Sequence, residues 1–206
     1  MLKIAIQNKG RLSDGSVNFL KSLGLKFDSP GRSLIVQCEN LDVSILYMRT
    51  DDIVDCVESG IADFGIVGEN VLFEKSSNLN VLAKLPFGEC SLVLAVPENS
   101  WCEKFDDLRG RRIATSYPNT LSNYLRKKDL NSEIVFLSGS VEIAPALNIA
   151  DAIFDITQTG STLKANNLRI IEKLFTSRAV FIESPFLSEE KLKIINRINY
   201  ENIKCC

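Results

Sequence analysis

The stretch Ala150-Asp-Ala-Ile-Phe-Asp-Ile-Thr-Gln-Thr-Gly-Ser-Thr-Leu163 decides how this chain is read. An apolar strand runs directly into a loop of small hydroxyl residues around one glycine, the opening half of a βα unit. Gly160 lets the backbone approach an anion closely, and Thr159, Ser161 and Thr162 add hydroxyl donors. A helix opening near Leu163 and Lys164 aims unpaired N–H groups at the same point. Asp155 precedes this loop at the end of the strand, where a carboxylate accepts hydrogen bonds from paired ribose hydroxyls while the loop holds the attached phosphate. The combination suggests a sugar phosphate. Taken alone, the string also fits a strand, a turn and a hydroxyl-capped helix with no ligand.

Working outward, strand-like runs alternate with amphipathic stretches. Lys3 to Gln7, Leu34 to Cys38, Val43 to Tyr47, Ala62 to Val67, Cys90 to Val96, Ile113 to Thr115 and Ile134 to Leu137 read as strands. Ser13 to Leu23 reads as a helix with Ser13 as N-cap and Gly24 closing it. Asp51 to Ser59, Ser122 to Lys128 and Ser140 to Leu147 read as further helices, the last interrupted by Pro145. Glu74 to Asn80 reads as a variable stretch. The rhythm predicts an α/β fold with two lobes and a ligand cleft between them. A second βα series starts near Phe87-Gly88, and Ala179 to Ile182 followed by a helix over Ser188 to Ile198 returns the chain to the first lobe. Lobe I is therefore expected over 1–87 and 176–206, and lobe II, with the hydroxyl loop, over 88–175.

Composition narrows the function. At 206 residues and 45% hydrophobic content the chain can bury a substantial core. A net charge of −2, from 24 basic and 26 acidic residues, gives no overall attraction to a nucleic acid. No apolar run reaches the length of a membrane span, and Met1 to Ile6 is too short for a signal core before Asn8, Lys9 and Arg11 interrupt it, so a cytoplasmic protein is expected. Cys38, Cys56, Cys90, Cys102, Cys205 and Cys206 show neither metal-ligand nor redox spacing and read as buried hydrophobes or idle thiols. The absence of histidine excludes a Ser-His-Asp triad, a histidine-based zinc site and a histidine general base. Chemistry must then rest on cations, hydrogen bonds, carboxylates or a bound metal, which suits phosphate chemistry.

Cations occur where such chemistry needs them. Asn8-Lys9-Gly10-Arg11 follows the first strand and Arg49 follows the strand ending at Tyr47, so both lie at carboxyl ends of strands, the usual ligand side of an open α/β sheet. Any one of them taken singly also fits solvated surface charge.

Six motifs, in order, carry a family resemblance. They are Gln7-Asn-Lys-Gly-Arg-Leu12, Arg49-Thr-Asp-Asp-Ile53, Gly60-Ile-Ala-Asp-Phe-Gly-Ile-Val-Gly-Glu-Asn-Val-Leu72, Ile113-Ala-Thr-Ser-Tyr-Pro118, Gly139-Ser-Val-Glu-Ile-Ala-Pro145 and the Asp151 to Leu163 signature. Together they resemble ATP phosphoribosyltransferase. The resemblance implies a two-lobed fold like that of type II periplasmic binding proteins. It also implies the first step of histidine biosynthesis: transfer of the phosphoribosyl group of phosphoribosyl pyrophosphate to N1 of ATP, with release of pyrophosphate and with magnesium on the substrate phosphates. Carried over by position, Asp155, Thr159, Gly160, Ser161 and Thr162 hold the ribose and its 5′-phosphate, and Glu142 lies beside the ribose or the nucleotide. Lys9, Arg11 and Arg49 bind pyrophosphate or the ATP phosphates, and Tyr117 lines the nucleotide side. No residue is assigned to a protein-held metal. Ser116 stands where the family often has lysine, Asn148 where glycine is common, and Asp63 reads as a structural residue hydrogen-bonded to its own turn.

Family members occur in a long form with a histidine-binding C-terminal domain and a short form that works with a subunit resembling histidyl-tRNA synthetase. The ending at Cys206 fits the short form, without the C-terminal regulatory domain, and implies a homodimer joined to that regulatory subunit. Two other functions fit parts of the pattern. Another phosphoribosyltransferase would share the Asp155 to Thr162 spacing, and a non-catalytic two-lobed small-molecule-binding module would share the architecture.

Overall fold

The computed structural model describes residues 1–28 and 31–195. In chain order the regular elements are β1 (Leu2–Gln7), α1 (Ser13–Ser22), β2 (Ile35–Gln37), β3 (Val43–Met48), α2 (Thr50–Glu58), β4 (Phe64–Gly68), α3 (Glu69–Lys75), β5 (Asn80–Lys84) and β6 (Cys90–Pro97). They continue with β7 (Arg112–Thr115), α4 (Pro118–Lys127), β8 (Glu133–Phe136), β9 (Ala152–Thr157), α5 (Ser161–Ala165), β10 (Leu168–Ser177), β11 (Ala179–Glu183) and α6 (Glu189–Ile195). Short 3-10 turns occupy Phe105–Leu108 and Val141–Ile143. Two compact units result: Met1–Gly88 with the described residues from Arg178 onward, and Glu89–Ser177.

The first unit is built on a sheet of order β2-β3-β1-β4-β11-β5. Its centre is parallel, β1 lying between β3 and β4, while β11 runs antiparallel to both β4 and β5. Both faces are covered, which explains the near-continuous apolar run of β1. Alternation sends Leu2, Ile4 and Ile6 into a core with Leu20 of α1 and Ile195 of α6, and Ala5 into the opposite core with Ile53, Val54 and Val57 of α2 and Val71 and Leu72 of α3. Asp63, 2% exposed, fastens this unit. Its Oδ2 accepts the Lys3 N–H at 2.8 Å, its Oδ1 accepts Lys191 Nζ at 2.7 Å, and its carbonyl accepts the Ser184 N–H at 2.9 Å. Its role is structural, as expected, but its partners lie on β1, α6 and the chain after β11 rather than in its own turn.

The second unit carries a sheet of order β10-β6-β9-β7-β8, in which β7, β8 and β9 are parallel and β6 and β10 complete the other edge antiparallel. One face packs Leu92, Leu94 and Phe154 against Phe105, Leu108 and the α4 residues Leu121 and Leu125. The other packs Val93, Ala95 and Ile153 against Val141, Ala144 and Leu163. Because β7, β8 and β9 are parallel, the segments that follow them leave from one edge of the sheet.

Several local expectations change. Helix α1 starts at Ser13 itself, with Leu12 in the N-cap position and no side-chain cap, so Ser13 is not the N-cap. Ser140 to Leu147 contains one 3-10 turn followed by turns, because Pro145 supplies no N–H to continue it. Asn148 adopts the left-handed conformation expected of it, at φ 56. The variable stretch begins inside α3 and ends at β5, neither of which was anticipated, and nor was β10. The last helix is described only as Glu189–Ile195, so the predicted extension to Ile198 lies outside the described residues, as do Cys205 and Cys206. Cys38, Cys56, Cys90 and Cys102 are free thiols, and burial pushes Cys38 up to about 11. No helix among the described residues is long and apolar enough to cross a membrane.

Candidate active site

In the second unit the site grows from the ends of β7 and β9. Thr115 pairs with Phe154, which sets Ser116 beside Asp155. The Ser116 hydroxyl donates to Asp155 Oδ1 at 3.2 Å, and the Ile156 N–H donates to the same oxygen at 2.8 Å. Desolvation is the main influence on this carboxyl and raises it, the Ile156 N–H pulls it back, the neighbouring Glu142 charge raises it again and the Ser116 hydroxyl lowers it. The balance leaves Asp155 at about 6. Glu142 reaches this position because Ser140, at φ 51, turns the chain into the Val141–Ile143 turn.

The loop after β9 is closed on itself. Gly160 takes the left-handed conformation, φ 77, at the N-cap of α5, and its N–H donates to Thr157 Oγ1 at 3.0 Å. The Ser161 N–H donates to Thr159 Oγ1 at 3.3 Å, and the Thr159 hydroxyl donates to Ser161 Oγ at 2.9 Å. The helix opens at Ser161, two residues earlier than the sequence suggested, so Thr162 lies within its first turn. Thr159, Ser161 and Thr162 are exposed. Thr157 was not singled out from the sequence; a hydroxyl three residues before the loop glycine is its signal, the spacing of a side chain that accepts from a turn amide. Tyr117 follows Ser116, its N–H donating to Thr115 Oγ1 at 2.8 Å, and Pro118 then opens α4.

In the first unit, β1 and β3 are in parallel register with Gln7 opposite Met48, so Asn8 to Arg11 and Arg49 leave the sheet at the same edge. The structure thereby puts Lys9, Arg11 and Arg49 on segments that leave one edge of this sheet. Gln7, which opens the first motif but carries no assigned role there, shapes the loop: its Oε1 accepts the Leu12 N–H at 3.0 Å, and Gly10, at φ 108, lies so close that an added Cβ would sit 2.9 Å from the Gln7 amide nitrogen. Lys9 and Arg49 are exposed, with Arg49 in extended conformation ahead of α2. Arg11 is more enclosed. Its guanidinium lies against Gly68 and Gly88, where a Cβ on either would stand 3.3 Å from a guanidinium nitrogen. Its Nη1 is buried without an acceptor among the described residues. A buried donor left in this way favours an oxygen-rich anion. Among the described residues no group of three or more Cys, Asp or Glu side chains is placed to hold a metal ion.

Known proteins resemble this chain over most of its length. The family model of ATP phosphoribosyltransferase matches residues 49–201. An ATP phosphoribosyltransferase of Phocaeicola vulgatus is 41% identical over 198 residues, covering 96% of this chain and 70% of that protein. One from Cytophaga hutchinsonii is 42% identical over 200 residues, covering 97% of this chain and 70% of that protein. Among solved structures, a chain of the ATP phosphoribosyl transferase (HisG:HisZ) complex from Thermotoga maritima superposes with a TM-score of 0.82 at 32% identity, covering 98% of this chain and 100% of that one. The periplasmic aliphatic sulphonate binding protein SsuA of Escherichia coli superposes with a TM-score of 0.63 at 16% identity, covering 99% of this chain and 72% of that one, which shows the two-lobed type II periplasmic-binding-protein fold. With its motifs in order, its fold matched and its relatives alike over nearly its whole length, this chain belongs to the ATP phosphoribosyltransferase family, the enzymes of the first step of histidine biosynthesis.

Proposed function

We propose that the β9 loop and Asp155 form the phosphoribosyl pyrophosphate site of this enzyme. Asp155 accepts hydrogen bonds from the ribose hydroxyls, and Thr159, Gly160, Ser161 and Thr162 hold the 5′-phosphate. Glu142 stands beside the ribose or the nucleotide, and Tyr117 lines the nucleotide side. Lys9, Arg11 and Arg49 take the charge of pyrophosphate or of the ATP phosphates. The single observation that carries this reading is the pairing of a desolvated carboxylate at the end of β9 with a hydroxyl-rich left-handed turn immediately after it.

The reaction breaks the bond between the anomeric carbon and a pyrophosphate oxygen, the leaving group taking the electron pair, and the N1 lone pair of ATP forms the new bond. Positive charge develops on the ribose as negative charge develops on the departing oxygen. The protein's part is to fix the ribose and to neutralise the leaving group, and N1 needs no strong base. When bound to the substrate phosphates, magnesium supplies further charge neutralisation. The donors here suit that arrangement: hydroxyls, amides and cations for phosphate oxygens.

A hetero-oligomer with a regulatory subunit resembling histidyl-tRNA synthetase, built on a homodimer, is the assembly we assign; the likeness to a chain from a two-subunit complex supports it. A cytoplasmic location goes with these substrates. Calorimetric titration with phosphoribosyl pyrophosphate and magnesium tests the site. Thr162→Val and Asp155→Asn should each lose roughly 1–3 kcal/mol of binding per charge-assisted bond. Undiminished affinity in both would overturn the assignment.

A further inference from the structure

Ser116 has so far no role in the reaction, yet it occupies a telling position. It is the first residue after β7, lying beside Asp155 because β7 and β9 run parallel in register. Its hydroxyl and the Ile156 N–H both donate to one oxygen of that carboxylate, Oδ1. A carboxylate whose first oxygen is held by two protein donors has a fixed plane, and its acceptor capacity is concentrated on the second. Ser116 also sits between Thr115 and Tyr117, whose turn is closed by the hydrogen bond from the Tyr117 N–H to Thr115 Oγ1 at 2.8 Å. One short segment therefore touches the ribose carboxylate and carries the nucleotide-side tyrosine.

We propose that Ser116 is a positioning residue, which by holding Asp155 Oδ1 turns Oδ2 toward the ribose hydroxyls of phosphoribosyl pyrophosphate and ties the Tyr117 turn to the ribose site. The proposal rests on the assignment of Asp155 to the ribose. Of the elements against Asp155, β6 brings Val93, β7 brings Thr115 and Ser116, and the Val141–Ile143 turn brings Glu142, the one charged group in that set. With a like charge beside it and no cation in the set, Asp155 depends on neutral donors to stay ionised and oriented. Burial, with Glu142, raises its carboxyl to about 6 against the pull of the Ile156 N–H and the Ser116 hydroxyl, so losing the Ser116 donor moves it further up.

The test is calorimetric titration of the full chain with phosphoribosyl pyrophosphate and magnesium from pH 6 to pH 9, alongside melting curves. Ser116→Ala should weaken binding roughly tenfold near pH 6.5, the scale of one hydrogen bond to a charged group, with a smaller loss at pH 9 where the carboxylate is ionised regardless. Ser116→Thr, which keeps the hydroxyl, should restore most of the affinity. Melting temperatures of all three proteins should agree within a few degrees. Asp155→Asn separates the two levels of the argument. If it binds as tightly as the parent, the ribose assignment fails. If it loses affinity while Ser116→Ala matches the parent at every pH, the assignment stands and the positioning role is overturned. A Ser116→Ala loss that is uniform in pH, is not restored by threonine and tracks a lowered melting temperature would show a structural role and also overturn the proposal.

Discussion

Replacing Asp155 by asparagine should stabilise the protein while weakening its grip on the phosphoribosyl donor. In the folded chain the carboxyl stands at about 6, against an ordinary 3.8, with desolvation the leading cause. A carboxyl raised on folding is a cost to the folded state wherever it is ionised. That cost is fully present above pH 6 and is relieved as pH falls from about 6 toward 3.8. The difference corresponds to about 3 kcal/mol at neutral pH, and partial solvent access reduces it to about 1–3 kcal/mol. Asparagine keeps the shape and can accept from the Ile156 N–H, so most of that cost should disappear. For a chain of this length the melting temperature should rise by roughly 3–8 °C at pH 8. The gain should shrink to about half at pH 5 and to about a fifth at pH 4. Melting curves at these three pH values, for both proteins, provide the assay. A lower melting temperature for Asp155→Asn at pH 8, or a difference that does not change with pH, would refute the reasoning that burial strains this carboxylate.

Arg49→Ala should lower turnover by about 2–4 kcal/mol of transition-state stabilisation beyond any loss of substrate binding, and Arg49→Lys should recover only part because lysine lacks the bidentate fork; steady-state kinetics with the assembled enzyme decide this. Asp63→Ala should destabilise the first unit by about 3–5 kcal/mol, since it leaves the Lys3 N–H and the Lys191 ammonium without their acceptor, and a denaturant melt reads the loss. Histidine should neither bind the isolated chain tightly nor inhibit it, and should inhibit only when the regulatory subunit is present, as a histidine titration with and without that subunit would show.

The parts of the fold that were legible in the sequence are those where burial is simple. The run Lys3 to Gln7 reads as a strand because both of its faces are covered, and Gly24 as a helix end and Gly160 as the loop glycine are legible because both positions take positive φ. The long strand β10 escaped because it is an edge strand whose pairing with β6 shifts register twice, so Arg169, Glu172 and Lys173 break any regular alternation. Helix α3 was hidden because it follows β4 directly, with Gly68 in the N-cap position and no capping side chain to mark the boundary. The Asp155 loop was legible because its chemistry is local. The environment of Arg11 was not, since the glycines that enclose its guanidinium, Gly68 and Gly88, lie far along the chain. The contribution of Ser116 depends on strand pairing, which appears only once β7 is set beside β9.

The most direct measurement is to mix the purified chain with ATP, phosphoribosyl pyrophosphate and magnesium, with and without a synthetase-like regulatory subunit, and to follow both products. The account predicts N1-phosphoribosyl-ATP and pyrophosphate in equal amounts, faster with the subunit present, and a large loss of both when Asp155→Asn or Arg49→Ala replaces the parent chain. Full turnover by both variants would contradict the site; no N1-phosphoribosyl-ATP under either condition, with both substrates left intact, would contradict the activity itself.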